Sequence, residues 1–431
     1  MVLSENQAES RWVWTRRDLL ILSLFVGVAV VVRLAILGDE LVRLDDPDGY
    51  LRLARSLIQG EGLRINGRLT AYRPPLYPIL LAPWVAAFDG PGLPAGLAMF
   101  HLALGALTVV LTADSARRWD LPRLSVWVAA TIAAVDPVLA VQSRALMTET
   151  LAAFLVVATL WGISFRGRPG VFAGGVGFGL ASLCRPSLLP AAGLTAMACL
   201  MIGLGGDWKG RTRRSLLFLV STLALLSPWA IRNALVFGEP IWTTTHGGYT
   251  LALANNPAYY ADVLDGPPGA VWSGANQEAW IKGINAATAG LSEPEADRFL
   301  RRRATEFARA RPGDFSRASW ARLGRFWGVM PSSAVYSARL RWASAAWTTP
   351  VWVLVVIGLA SRSSWQWPRI TAPALLATLT LVHTIYWTDL RMRAPLVPAL
   401  ALVAATGFTK VRDRSLMRPL GDPRIASDFS G

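Results

Sequence analysis

Acids and arginines stand at the edges of apolar runs along this sequence. The segment Leu44-Asp45-Asp46-Pro47-Asp48-Gly49-Tyr50-Leu51 leads the set, followed by Arg73, Asp136 and Glu149. Arg185, Arg232-Asn233, His246, Asp389, Arg391 and Arg393 complete it. A charge at membrane depth costs roughly 2.5–3.5 kcal/mol on insertion scales unless it pairs or faces a polar cavity. A planar guanidinium binds phosphate oxygens bidentately. A carboxylate beside such arginines takes a proton from an acceptor hydroxyl while they stabilise a departing phosphate. That chemistry is group transfer. Asp46, Asp48 and Glu149 are the candidate catalytic acids, and Arg73, Arg185, Arg232, Arg391 and Arg393 the candidate donor-phosphate ligands. Tyr50, Asn233 and His246 are candidates for acceptor or accessory contacts.

Each residue also has a plainer reading. Asp46 followed by Pro47 suits a helix N-cap with proline at the first helical position. Arg185, Arg232 and Arg391 also suit snorkelling to lipid headgroups. Glu149 suits a first-turn acid favoured by the helix dipole. Trp342 and Trp347 read as interfacial belt residues. His101 and His383, within apolar spans, read as helix-packing side chains. Cys184 and Cys199 lie in or beside apolar runs and support neither a disulfide framework nor a thiolate metal site.

The elements that must position these groups are membrane helices. The chain is 53% hydrophobic and 16% charged with a mean hydropathy of +0.38, beyond the range of soluble domains. Its apolar runs are about the length that crosses a hydrocarbon core. The net charge of +15 is scattered rather than gathered into a basic stripe with interleaved aromatics, which argues against nucleic-acid binding. Ten spans are expected, near 19–37, 94–115, 124–141, 146–165, 170–185, 187–205, 215–236, 346–361, 370–387 and 394–409. Arg117, Arg118, Arg123, Arg166, Arg168, Lys209, Arg211, Arg213, Arg214, Arg362, Arg369, Lys410, Arg412 and Arg414 then share one side with Arg11, Arg16 and Arg17. The positive-inside rule makes that side cytoplasmic. The first outer loop is itself arginine-rich, which the opposite orientation would explain only by exporting five basic connections. The N-terminus reads as an uncleaved signal anchor.

The fold class expected is an all-α polytopic membrane protein with interfacial helices in the first outer loop and a mostly helical outer segment. Residues 1–236 form an N-terminal transmembrane module containing the first outer loop (38–93). Residues 237–345 form an extracytoplasmic loop region, 346–409 the C-terminal transmembrane helices and 410–431 a cytoplasmic tail. In the first loop, Asp48–Gln59 is expected as an interfacial helix with Tyr50, Leu51, Ala54, Leu57 and Ile58 on its apolar face. A second follows Arg73-Pro74-Pro75. In the outer segment, Ser292-Glu293-Pro294-Glu295 has capping-box spacing. It opens a helix to about Ala310, and a second runs over Asp314–Trp327.

A run of segments resembles the polyprenyl-phosphate-sugar-dependent glycosyltransferases of the GT-C superfamily. The similarity is greatest to the RgtA/B/C/D-like bacterial relatives of dolichyl-phosphate-mannose protein mannosyltransferases. The segments are Asp46-x-x-x-Tyr50-Leu51-x-Leu53-Ala54-Arg55-x-Leu57, Gly60-x-Gly62, Ala71-Tyr72-Arg73-Pro74-Pro75-Leu76-Tyr77-Pro78 and Thr148-Glu149-Thr150-Leu151. Leu180-Ala181-x-Leu183-x-Arg185-Pro186, Pro228-Trp229-x-x-Arg232-Asn233, Asn255-Asn256-Pro257, Arg311-Pro312-Gly313 and Arg391-Met392-Arg393-x-Pro395 follow in order. The resemblance implies a multi-pass protein of the bacterial plasma membrane whose active site faces outward. It implies transfer of a sugar from a polyprenyl-phosphate carrier to a lipid, glycan or protein acceptor. It puts Asp46 in the place of the first-loop acid, with the register open across Asp45-Asp46-Pro47-Asp48. Some members use a divalent metal near this acid, although no metal-ligand spacing here points to one independently. The competing readings are a transporter or lipid flippase, which favours repeated halves and midplane charges, and a non-catalytic assembly subunit.

Overall fold

The computed structural model describes residues 12–38, 46–88, 90–203, 207–267 and 269–416. Asp45 and the chain beyond residue 416 lie outside them. The architecture is helical, with one two-stranded antiparallel ribbon, β1 (Arg64–Ile65) and β2 (Arg68–Leu69), among the described residues. α1 (Arg16–Leu37) opens on a capping box in which Thr15 and Asp18 satisfy each other's backbone amides. Two short helices, α2 (Tyr50–Ile58) and α3 (Leu76–Ala87), follow in the first loop. Next come α4 (Leu93–Arg118), α5 (Arg123–Val135), α6 (Pro137–Val141), α7 (Glu149–Ile163), α8 (Gly167–Cys184), α9 (Leu189–Met201) and α10 (Trp208–Phe237).

Residues 237–345 hold α11 (Gly247–Ala254), α12 (Pro257–Tyr259), α13 (Ala275–Thr288), α14 (Glu293–Ala310) and α15 (Pro312–Phe326). Of these, α14 starts on the expected capping box of Ser292 and Glu295 and ends at Ala310. The chain returns to the bundle with α16 (Ala338–Leu359), α17 (Thr371–Ile385) and α18 (Val397–Leu416). A helix stands at each expected span. Among the described residues, six helical stretches are long and apolar enough to cross a membrane, and shorter apolar helices such as Glu149–Ile163 and Thr371–Ile385 accompany them. The protein is a polytopic helical membrane protein.

Lipid offers no hydrophobic drive between helices, so close packing rests on small residues. At the crossing of α16 and α18, a Cβ on Gly358 would meet the Val403 carbonyl at 2.1 Å, and one on Gly407 the Leu354 carbonyl at 2.0 Å. Gly175 and Gly179 likewise bring α8 against α10, at the Phe218 carbonyl and the Leu225 side chain, with somewhat more room. Buried arginines then finish helix ends. Arg33, 1% exposed, donates to the Ala134 carbonyl at the end of α5 (2.9 Å) and to Ala29 in its own helix (3.1 Å). Arg322, wholly buried, donates to Thr384 of α17 (2.8 Å) and Ala254 of α11 (2.9 Å). Helix C-termini carry unpaired carbonyls and partial negative charge, which is why a cation is tolerated at these depths.

Candidate active site

The first loop meets residues 237–345 through Glu293 and His246, and the first-loop acids lie beside that contact. The α2 helix begins at Tyr50, two residues later than expected. Gly49, at φ +74°, is its cap residue, a left-handed conformation that glycine adopts without strain. Asp46 is therefore not the N-cap, and Pro47 precedes the helix. Asp46 still serves the helix start: Oδ1 accepts from the Tyr50 amide (2.8 Å) and Oδ2 from Leu51 (2.9 Å). Burial raises the Asp46 carboxyl above its ordinary value, against the pull of those two amides. The buried side of α2 holds Tyr50, Leu53 and Ala54, whereas Ile58 is exposed, so the apolar face is turned from the expected one.

Asp48 pairs with Arg73, the Arg73 Nη2 donating to Oδ1 at 2.8 Å. Arg73 Nη1 lies 3.3 Å from His246 Nε2. Arginine only donates, so Nε2 accepts and the His246 proton sits on Nδ1, which is buried with no partner among the described residues. Burial, reinforced by the Arg73 charge, holds the imidazole well below its ordinary pKa and therefore neutral. Tyr72 and Tyr249 flank its ring, with centroids at 4.3 and 5.1 Å. Arg73 also lies over the rings of Tyr50 and Tyr72.

A second cluster lies near Tyr50, whose ring lies under the Arg73 guanidinium and whose hydroxyl feels the charges of Arg73, Asp48 and Arg185. Glu149, 1% exposed, meets Arg185 at 3.1 Å. Arg185 Nη2 donates to the Met392 sulfur (2.9 Å), and Arg391 Nη1 to the Met147 sulfur (2.8 Å). A thioether is a weak acceptor, so each guanidinium retains donor capacity. Glu149 Oε2, Arg391 Nε and both His383 ring nitrogens are buried without a hydrogen-bond partner among the described residues. Such atoms are costly unless something else satisfies them. The geometry offers a polyanion two arginines in a largely enclosed place.

The other expected ligands lie elsewhere. Arg232 Nη1 donates to the Thr70 carbonyl (3.0 Å) and to Asn233 Oδ1 (2.9 Å), and Asn233 in turn donates to Ile241 (2.7 Å). These two residues fasten the end of α10 to the first loop. Arg393, 2% exposed, donates to the Phe326 and Gly328 carbonyls (3.1 and 2.9 Å) at the end of α15. Asp136 caps α6 through the Leu139 amide (3.0 Å) and accepts from the Trp347 indole N–H (3.3 Å). His101 bridges Tyr77 (2.8 Å) and Ser143 (3.0 Å), and His383 stacks on Phe326 at 4.9 Å, both as packing side chains.

Sequence reasoning missed Glu293. Its carboxylate accepts from the Thr70 hydroxyl (2.7 Å), the Ala71 amide (2.8 Å) and the Thr245 hydroxyl, joining the first loop to α14 and the strand of chain before His246. The Thr245 amide adds a bond to Ala71. The only sequence signal at Glu293 was its place in a capping box. Among the described residues, no three or more His, Cys, Asp or Glu side chains gather as metal ligands would.

No protein-family model and no curated protein matches the sequence. Solved structures match in fold. The Archaeoglobus fulgidus oligosaccharyltransferase in its apo form aligns with 92% of this chain and 50% of its own, at 15% identity and a TM-score of 0.57. The same protein tethered to an acceptor peptide containing the NVT sequon aligns with 93% of this chain and 51% of its own, at 13% identity and a TM-score of 0.54. ArnT from Cupriavidus metallidurans bound to undecaprenyl phosphate aligns with 93% of this chain and 79% of its own, at 16% identity and a lower TM-score of 0.44. The chain shares the fold of that oligosaccharyltransferase. It spans about half the length of the oligosaccharyltransferase it matches.

Proposed function

We propose that this protein is a glycosyltransferase moving a sugar from a polyprenyl-phosphate carrier to an extracytoplasmic lipid, glycan or protein acceptor. The observation that carries the reading is the meeting, around Tyr50, of the Asp46–Asp48–Arg73 group with the Glu149–Arg185–Arg391 group. A one-ended cluster of acids and arginines fits group transfer better than transport, which calls for charges near the midplane. The fold shared with an oligosaccharyltransferase supports it.

Asp46 is the proposed base. Each carboxylate oxygen spends one lone pair on an amide and keeps another for an acceptor hydroxyl, and burial makes the group more basic. The acceptor oxygen forms its bond to the anomeric carbon as the bond from that carbon to the phosphate oxygen breaks. The hydroxyl proton passes to Asp46, and the carrier leaves as a lipid phosphate. Arg185 and Arg391 take the charge developing on that phosphate, with Arg73 held toward it by Asp48. Glu149 fixes Arg185. A divalent metal near Asp46 would add charge at the same phosphate, and among the described residues Asp48 is a further carboxylate close enough to act on Asp46. The active face is extracytoplasmic in a bacterial plasma membrane, on the side opposite the basic connections.

The test is a panel of radiolabelled polyprenyl-phosphate sugars presented to the purified protein with membrane lipid, glycan and peptide acceptors. One donor is expected to lose its sugar to an acceptor. Translocation of an intact donor across a vesicle, with no cleavage, would overturn the reading in favour of a flippase.

A further inference from the structure

The end of the bundle opposite the proposed active site has a cleft of its own. It has a volume of about 450 Å³ and lies between the 119–122 turn, the 361–369 connection and the last turns of α18. That volume falls in the range of small-molecule sites. Arg362, Arg369 and Lys410 line it together with Asp120 and Asp413. The acids are accounted for: Asp413 accepts from Arg412 at 2.9 Å, and Asp120 stands close enough to Arg369 to act on its charge. Arg369 is further committed to the Trp119 carbonyl. Arg362 and Lys410 are exposed and have no ion-pair partner among the described residues. Ser361 and Ser363 hydroxyls, 3.0 Å apart, sit between them, and only one of the pair can donate to the other. The second hydroxyl hydrogen remains available as a donor at the cleft lining.

We propose that this cleft binds a phosphate group, which goes beyond the sugar-transfer reading and uses none of its residues. Two unpaired cations and a spare hydroxyl donor complement a phosphate, and basic pockets between helices on the cytoplasmic side are suited to anionic headgroups. The same chemistry would serve an anionic phospholipid or a soluble phosphate compound.

The full-length protein in detergent is titrated with phosphatidylglycerol, with phosphatidylcholine and separately with inorganic phosphate. Bound lipid is followed by native mass spectrometry, and phosphate binding by the unfolding temperature. Phosphatidylglycerol affinity is expected to fall roughly tenfold or more in Arg362→Ala with Lys410→Ala. It should be unchanged in Lys209→Ala with Arg213→Ala, which removes the same charge elsewhere on that face. Lys410→Glu alone, at an exposed position, should give a comparable loss by repulsion. Stabilisation by inorganic phosphate that disappears in the same variants would support the site while assigning it to a soluble ligand. If wild type and all variants bind phosphatidylglycerol alike and respond alike to phosphate, or if phosphatidylcholine binds as well, the proposal is overturned.

Discussion

Asp48 and Arg73, 25 residues apart, hold each other at 2.8 Å within the first loop. Asp46 instead accepts from the Tyr50 and Leu51 amides and feels the charge of Arg52, which gives the two acids different work. In Asp48→Asn the loop keeps its helix start, but Arg73 loses its tether. We expect donor KM to rise by about tenfold, the worth of one charge-assisted hydrogen bond of roughly 1.5–3 kcal/mol at its lower end, with kcat changed less. Steady-state transfer assays at varied donor concentration check this.

Asp46→Asn should lower transfer by a factor of about 10²–10⁴, as expected for loss of a general base. Asparagine offers one oxygen where aspartate offers two to the Tyr50 and Leu51 amides. A stability loss of about 1 kcal/mol, the net worth of one hydrogen bond, should therefore accompany it, visible as a modest fall in unfolding temperature. Normal transfer by this variant would remove Asp46 from the chemistry and leave Glu149 as the next acid to test.

The pH dependence follows from the same carboxylate. Its folded pKa lies above the unfolded value because of burial, so the neutral acid is favoured in the folded protein. Its contribution to stability is thus largest at low pH and declines as pH rises from the ordinary aspartate value through the folded one. Activity runs the other way, because the base must be ionised. The acid limb of the kcat/KM profile should lie above the ordinary aspartate value and vanish in Asp46→Asn.

Arg391→Ala and Arg185→Ala should each weaken donor binding by about 1.5–3 kcal/mol, measured with a non-transferable lipid-phosphate analogue. Arg391→Lys should not restore it, since an ammonium lacks the planar fork. Arg393→Ala should instead impair assembly. It strips the Phe326 and Gly328 carbonyls of their donor, and buried unsatisfied groups cost about 1–3 kcal/mol each. Expression yield and unfolding temperature separate these outcomes.

Orientation is checked by cysteine labelling at exposed sites. Asp265→Cys and Asp389→Cys should react in intact cells, and Lys209→Cys only after permeabilisation. Thr388, 2% exposed, would be a poor reporter. Labelling of Lys209→Cys from outside would invert the topology and move the proposed site to the cytoplasm.

Helix positions and the grouping of charge at one end were legible because hydropathy and basic connections are properties of single segments. The capping box at Ser292 was legible for the same reason. The division of labour among arginines was not. Arg391 and Arg393 lie two residues apart in one tight helical stretch, yet one meets Met147 and the other the end of α15. Only the partners across the fold distinguish them. Arg33 and Arg322 escaped notice because a cation that satisfies helix ends carries no local pattern. Glu293 was hidden behind a cap, since its first-turn position explained its charge without reference to Thr70, far away in sequence.

The depth of α18 in the bundle bears on how the protein is made. Its apolar window is 78% buried, whereas that of α1 is 17% buried. Ribosomes deliver α1 first and α18 after every other described helix. The faces of α4, α5, α7, α16 and α17 that receive α18 therefore spend most of synthesis without their partner. Bundle closure is a late event in biosynthesis, and a ribosome stalled before residue 397 would release a chain whose small-residue groove on α16 remains open to any other apolar helix in the membrane.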